Sequence, residues 1–174
     1  MIVDYNSKKN DLNQMQKQLD KSFFKNSIFS LDPNEFKDKI KKINAESKIV
    51  TENQISNMSN IHKSLLIAKN QCKDLVYFVE DDYLHQQEAI TEMIFAYERI
   101  ASQTNRELIL CSTDYPYLYT KIEPSSIFLG SNRHWRRVDE TLCTFFTSKI
   151  LVDKHWNKFV SMCQFEHYLS LIHI

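Results

Sequence analysis

Hydrophobic positions along the chain fall into short blocks with two alternating spacings. Leu75 to Val79 is an unbroken run of aliphatic and aromatic residues that ends abruptly at Glu80, Asp81 and Asp82. Such a run predicts a strand covered on both faces. From Gln87 to Ile100, the residues Ile90, Ile94, Ala96, Tyr97 and Ile100 keep helical register, and Glu107 to Cys111 reads as a second buried strand. Upstream, Ile2 and Val3 lead into Asp4 as the end of a strand, and Leu12, Met15 and Leu19 follow at helical spacing. Phe23 to Phe29 predicts a short strand, and the turn Asp32-Pro33-Asn34 opens a helix through Phe36, Ile40 and Ile43. Ser47 to Thr51 predicts another strand. Asn53, Asn57 and Asn60 then read as a polar loop, either capping the next helix or meeting a nucleotide, before Ile61, Leu65, Leu66 and Ala68 mark that helix.

Strands alternating with helices define an α/β class with a mainly parallel, mixed sheet. Ligands of such sheets sit beyond the carboxyl ends of strands, which is where the acidic triplet falls. Residues 1–168 are expected to form one domain. Because Asp4 stands at the tip of the first strand, an earlier neighbouring strand is expected to be missing. The closing segment Leu169 to Ile174 is expected to be a non-native tail.

Charge narrows the partners. Lys plus Arg equals Asp plus Glu, 22 each, so no net field draws the whole surface to nucleic acid. No apolar run approaches the roughly 20 residues that cross a bilayer, which predicts a soluble, cytoplasmic chain without a transmembrane segment. Cys72, Cys111, Cys143 and Cys163 form no CxxC pair and are expected as buried thiols. With Gly130 the single glycine, every glycine-rich phosphate loop is excluded.

Three adjacent carboxylates repel one another unless a cation or water separates them. A hard divalent ion, Mg²⁺ or Mn²⁺, is the natural partner for such oxygens, the other outcome being a solvated acidic turn. In "SNRHWRR", Arg133, His134, Arg136 and Arg137 lie beside the only glycine. Guanidinium forks match phosphate oxygens, so this segment is a candidate clamp, with Arg136 the preferred anion contact and Arg133 and Arg137 expected on the surface. His134 is either a ligand or a packed structural residue; Trp135 either stacks on a sugar or fills core. His62, His85 and His155 read as structural or exposed.

The block Tyr77-Phe78-Val79-Glu80-Asp81-Asp82-Tyr83-Leu84-His85 resembles the "YFlEDDYlH" block at the DxD position of GT-A glycosyltransferases, in particular bacterial family-2-like enzymes. The family's Asp-x-Pro turn and tyrosine are matched by Asp114, Pro116 and Tyr119. Its "HWR…T..TF" block is matched by His134, Trp135, Arg136, Thr141, Thr144 and Phe145, and its "vvDnnS" element is similar to the opening "IVDYNS". The resemblance spans Ile2 to about Tyr168 and implies a Rossmann-like, three-layer α/β/α nucleotide-diphospho-sugar transferase domain.

What the resemblance implies for function is a metal-dependent transfer of a sugar from a nucleotide-diphosphate sugar to a glycan or lipid-linked acceptor, at the inner face of the membrane in the latter case. Glu80 and Asp82, with His134, would hold Mn²⁺ or Mg²⁺, and the metal would take the place of the missing glycine loop. Asp4 would meet the base, and Asp81, Arg136 and His134 the donor. Glu166, with Asp153 the other choice, would take the proton from the acceptor hydroxyl, and Asp114 would line the acceptor pocket or cap its own turn. Two other classes remain open: a catalytically inactive remnant or carbohydrate-binding module of the same fold, and a Mg²⁺-dependent nucleotidyltransferase.

Overall fold

The computed structural model describes residues 2–4, 17, 28–30, 52–80, 84–113, 116–120, 125–138, 144–161 and 163. Strands β1 (Ile2–Asp4), β2 (Ile28–Ser30), β3 (Leu75–Val79), β4 (Ile109–Leu110) and β7 (Phe145–Ser148) form one sheet in the order β2-β1-β3-β7-β4. Between them in sequence, β5 (Ile127–Leu129) and β6 (His134–Arg136) form a separate antiparallel hairpin. The helices are α1 (Glu52–Gln71), α2 (Ala89–Thr104), α3 (Lys149–Lys154) and α4 (Trp156–Ser161). No helix among the described residues is long and apolar enough to cross a membrane.

The chain is therefore a mixed α/β protein. β1 pairs in parallel with β2 and with β3, whereas β7 pairs antiparallel with β3 and with β4. It follows that β1 to β4 all run one way and that β7 opposes them. Parallel pairing was expected to dominate, but the reversed strand is inserted between β3 and β4 and makes two of the four described pairings of this sheet antiparallel.

The unbroken apolar run of β3 has a direct structural cause. Val76 and Phe78 join a cluster with Ile61, Leu65 and Ala68 of α1, Val152 of α3 and Phe159 of α4. Tyr77 and Val79 join the opposite cluster with Ile90, Met93, Ile94, Tyr97 and Ile100 of α2. Alternate side chains of a strand point to opposite faces, and here helices cover both, so neither set can be polar. Phe145 and Phe146 on β7 divide between the same two clusters. Burying each large apolar side chain contributes roughly 1.5–3 kcal/mol.

Two expected elements change. Asn53, Asn57 and Asn60 lie inside α1, not in a loop, and Asn60 is buried. The 20 residues of α1 gain enough from packing Met58, Ile61, Leu65 and Ala68 to carry the weak helix formers at its start. The strand expected over Glu107 to Cys111 contracts to Ile109–Leu110. Its first residues are held by a side chain: the Tyr97 phenol donates to Glu107 Oε2 at 2.6 Å and accepts from the Leu108 N–H at 3.3 Å. The helix expected at Leu12 to Leu19, the turn and helix from Asp32 to Ile43 and the strand at Ser47 to Thr51 lie outside the described residues, apart from the helical Lys17. Cys72 and Cys163 are buried free thiols and Cys111 is half-buried; Cys143 lies outside the described residues.

The Tyr97–Glu107 pair gives stability a pH window. Burial, and then the hydrogen bond to Glu107, push the Tyr97 phenol from 10.0 up to about 12. The folded protein thus keeps a proton that the unfolded chain loses first, so stability is whole below pH 10 and falls as pH rises through about 12. Urea melts between pH 9 and 12.5 are expected to show this decline in the wild type and a shallower one in Tyr97→Phe; parallel declines would contradict the assignment.

Candidate functional site

Strand directions place the carboxyl ends of β1, β3 and β4 along one edge of the sheet. Asp4, the last residue of β1, is in register with Val79, the residue before the acidic triplet. Asp4 is also in register with Ser30 of β2. Asp4 and Glu80 are thus at the ends of neighbouring strands along one edge, whereas His134 lies on the separate hairpin. Parallel pairing of β1 and β3 is what brings these distant segments together.

Glu80 is half-buried and fixed by its own backbone. Its N–H donates to Thr144 Oγ1 at 3.0 Å, and that hydroxyl lies 3.4 Å from Glu80 Oε2. Thr144 is fully buried just before β7, so antiparallel pairing brings it to the edge where β3 ends. On the other side of the triplet, His85 Nε2 lies 2.9 Å from the phenol of Tyr77, which is also 3.0 Å from Ser112 Oγ, just past β4. Asp81, Asp82, Asp114 and Glu166 lie outside the described residues. Among the described residues no group of three or more His, Cys, Asp or Glu side chains is gathered for a metal.

The basic segment belongs to the hairpin. His134 is exposed on β6 opposite Leu129, and Arg136 is opposite Ile127. The Arg136 guanidinium lies over the Tyr119 ring, 4.3 Å from its centroid. Arg133 is exposed and donates to Gln86 Oε1 at 2.8 Å, which ties the hairpin tip to the segment leading into α2. Arg137 is exposed as expected. Trp135 fills core against α2. Asp153 is an exposed helical acid paired with Lys149 four residues before it, on a helix that begins beside the amino end of β3. It therefore serves as a surface ion-pair partner of α3.

Sequence reasoning did not find Glu92. This side chain, in the first turn of α2, is 7% exposed and accepts from the Ser131 N–H at 3.1 Å, the Asn132 N–H at 2.7 Å and Trp135 Nε1 at 3.1 Å. Arg99, two turns along the same helix, donates to the Gly130 carbonyl at 3.0 Å. A buried carboxylate is tolerated when several N–H groups replace its water, and this one takes three such groups from the hairpin. The signal in the sequence was the single glycine. Gly130 has no positive φ, so its role is space: an added Cβ would fall far inside contact distance of Glu92 Oε1 and 2.5 Å from Trp135 Nε1. In the sequence Thr144 and Tyr77 stand out only as parts of larger blocks, and His85 reads as structural or exposed.

No protein-family model, curated protein or solved structure matches the chain.

Proposed function

We propose that the chain is a metal-dependent glycosyltransferase of the GT-A type, built on a three-layer α/β/α domain, that moves a sugar from a nucleotide-diphosphate sugar to a glycan or lipid-linked hydroxyl acceptor. The observation that carries this reading is Glu80 at the carboxyl end of the central β3, fastened by Thr144 and one strand away from Asp4. That edge is where ligands of open α/β sheets bind. The "YFVEDDYLH" and "HWR" blocks, with their order and spacing, add to it.

Glu80 and Asp82, with His134, would hold Mn²⁺ or Mg²⁺. When bound, such an ion supplies Lewis acidity toward a departing diphosphate. Arg136 and Asp81 would bind the donor, Asp4 would meet its base, and Glu166 or Asp114 would accept or orient the acceptor hydroxyl. A hairpin anchored on Glu92 suits this task, since a preorganised basic segment loses less entropy on binding the donor.

Calorimetry with millimolar Mn²⁺ and a panel of UDP- and GDP-sugars tests the reading. Metal-dependent binding is expected for the wild type and its loss for Asp82→Ala. Absence of both binding and donor hydrolysis across the panel would overturn it. Release of nucleoside diphosphate supports sugar transfer, and release of pyrophosphate would instead assign nucleotidyl transfer.

A further inference from the structure

The β5–β6 hairpin has two unlike faces. Phe128 and its cross-strand partner Trp135 are half-buried against the cluster of α2. Successive side chains of a strand alternate, so Ile127, Leu129, His134 and Arg136 share the opposite face. Register sets them there as two pairs, Ile127 with Arg136 and Leu129 with His134. Ile127 is 70% exposed and Leu129 53%. Tyr119, 66% exposed, adds an aromatic ring against the Arg136 guanidinium.

Charge on this hairpin has one sign. Residues 125–138 include Arg133, His134, Arg136 and Arg137 but no Asp or Glu. Arg133 and Arg137 are exposed, and Arg133 donates to the neutral amide of Gln86, which leaves its charge in place. The apolar outer face cannot turn inward, because Glu92 holds the Ser131 and Asn132 N–H groups and the Trp135 indole from the α2 side. Guanidinium groups donate hydrogen bonds and accept none. A surface complementary to this face must therefore offer anionic acceptors and also receive aliphatic side chains. An acidic phospholipid interface offers both, with phosphates at the level of the arginines and acyl chains just beneath. A tyrosine ring suits the same boundary.

We infer that the outer face of the β5–β6 hairpin docks on an anionic phospholipid membrane, with Ile127 and Leu129 entering the boundary between headgroups and acyl chains and Arg133 and Arg137 meeting lipid phosphates. Protein interfaces gather apolar side chains in a centre depleted of charge. Here apolar and cationic positions face each other across the two strands, which suits a lipid boundary instead. Such docking is peripheral and needs no membrane-crossing helix. The inference rests on the hairpin itself and not on metal binding. Joined to the proposed sugar transfer, it favours the lipid-linked acceptor over a soluble glycan, because a donor held by His134 and Arg136 would lie at headgroup level.

Flotation of the full chain with phosphatidylcholine vesicles, with and without phosphatidylglycerol, at low and high salt, tests the docking. The wild type is expected to float with the mixed vesicles at low salt, to be released by salt, and not to float with phosphatidylcholine alone. A basic side chain near an anionic membrane contributes about fivefold to partitioning, so the double variant Arg133→Gln, Arg137→Gln should bind on the order of 25-fold more weakly. The double variant Ile127→Ser, Leu129→Ser should bind about tenfold more weakly although its charge is unchanged. All four side chains belong to exposed residues, so both variants should melt close to the wild type. A wild type that binds neither vesicle overturns the inference, and so does undiminished binding in both variants, which would place the contact elsewhere. A loss confined to the arginine variant overturns the insertion of Ile127 and Leu129. Release by inorganic phosphate at matched ionic strength would assign a free-phosphate site instead. Calorimetry with Mn²⁺ and the donor panel is read separately: donor binding without vesicle binding overturns the docking alone, and vesicle binding without donor binding overturns the sugar-transfer reading alone.

Discussion

Alanine at position 130 is expected to lift the β5–β6 hairpin from α2 and to destabilise the protein by about 3 kcal/mol, the sum of overpacking and of a buried carboxylate losing its donors. The added methyl has nowhere to go. Glu92 Oε1 and the Trp135 indole occupy its space, and neither is the loose end of an exposed side chain. Moving the turn aside breaks the Ser131, Asn132 and Trp135 hydrogen bonds to Glu92 together. Glu92→Gln is expected to cost less, about 1–3 kcal/mol, because an amide keeps one acceptor but turns an N–H toward a donor. Since both changes act on one network, the double variant should be clearly less destabilised than the sum of the singles. Urea melts followed by tryptophan emission provide the measurement: Trp135 should become more exposed in Gly130→Ala before global unfolding. Additive effects, or an alanine variant as stable as the wild type, would refute the docking geometry.

Local patterns made the elements legible where one cause dominated. The run Leu75 to Val79 is apolar throughout because helices cover both faces of β3, and the Ile90-to-Ile100 register is visible because α2 buries one stripe. Two kinds of feature were not legible. Asn53, Asn57 and Asn60 suggested a loop because their intrinsic preference opposes helix, yet α1 is held by tertiary packing that no local window contains. The hairpin's docking depends on Glu92 reaching residues 39 to 43 positions away. An acid in the first turn of an amphipathic helix looks like a solvated one.

The candidate site divides in the same way. Glu80 at a strand end followed from the apolar run, and its proximity to Asp4 needed only that β1 and β3 be parallel neighbours. Thr144 and Tyr77 were visible as letters in blocks, but their hydrogen bonds to Glu80 and His85 depend on the reversed β7 and on where His85 comes to lie. Sequence spacing does not encode either.

The same reversed strand makes Phe145→Ala the substitution expected to cost most in the sheet. The Phe145 ring, 1% exposed, lies 4.7 Å between centroids from Phe78 on β3 and stacks at 5.9 Å on Phe159 of α4. Truncation removes both contacts and leaves a cavity that two rigid strands cannot collapse to fill. A loss of about 3–5 kcal/mol follows, a large share of the roughly 5–15 kcal/mol by which such domains are stable. At about 2–4 °C per kcal/mol for a chain of this size, melting should fall by on the order of 10 °C in circular dichroism. Phe145→Leu, which keeps most of the volume, should lose less than half as much. The effect reaches the site because Thr144 precedes Phe145 in the chain and its hydroxyl holds the Glu80 N–H. Without the ring to hold β7 against β3 and the helix, that hydroxyl is less firmly held, so on the proposed metal site Phe145→Ala should also weaken Mn²⁺ binding at temperatures where it remains folded. A variant that melts with the wild type would show that Phe145 does not bridge β3 and α4, and one that melts lower with unchanged Mn²⁺ affinity would separate the core from the proposed metal site.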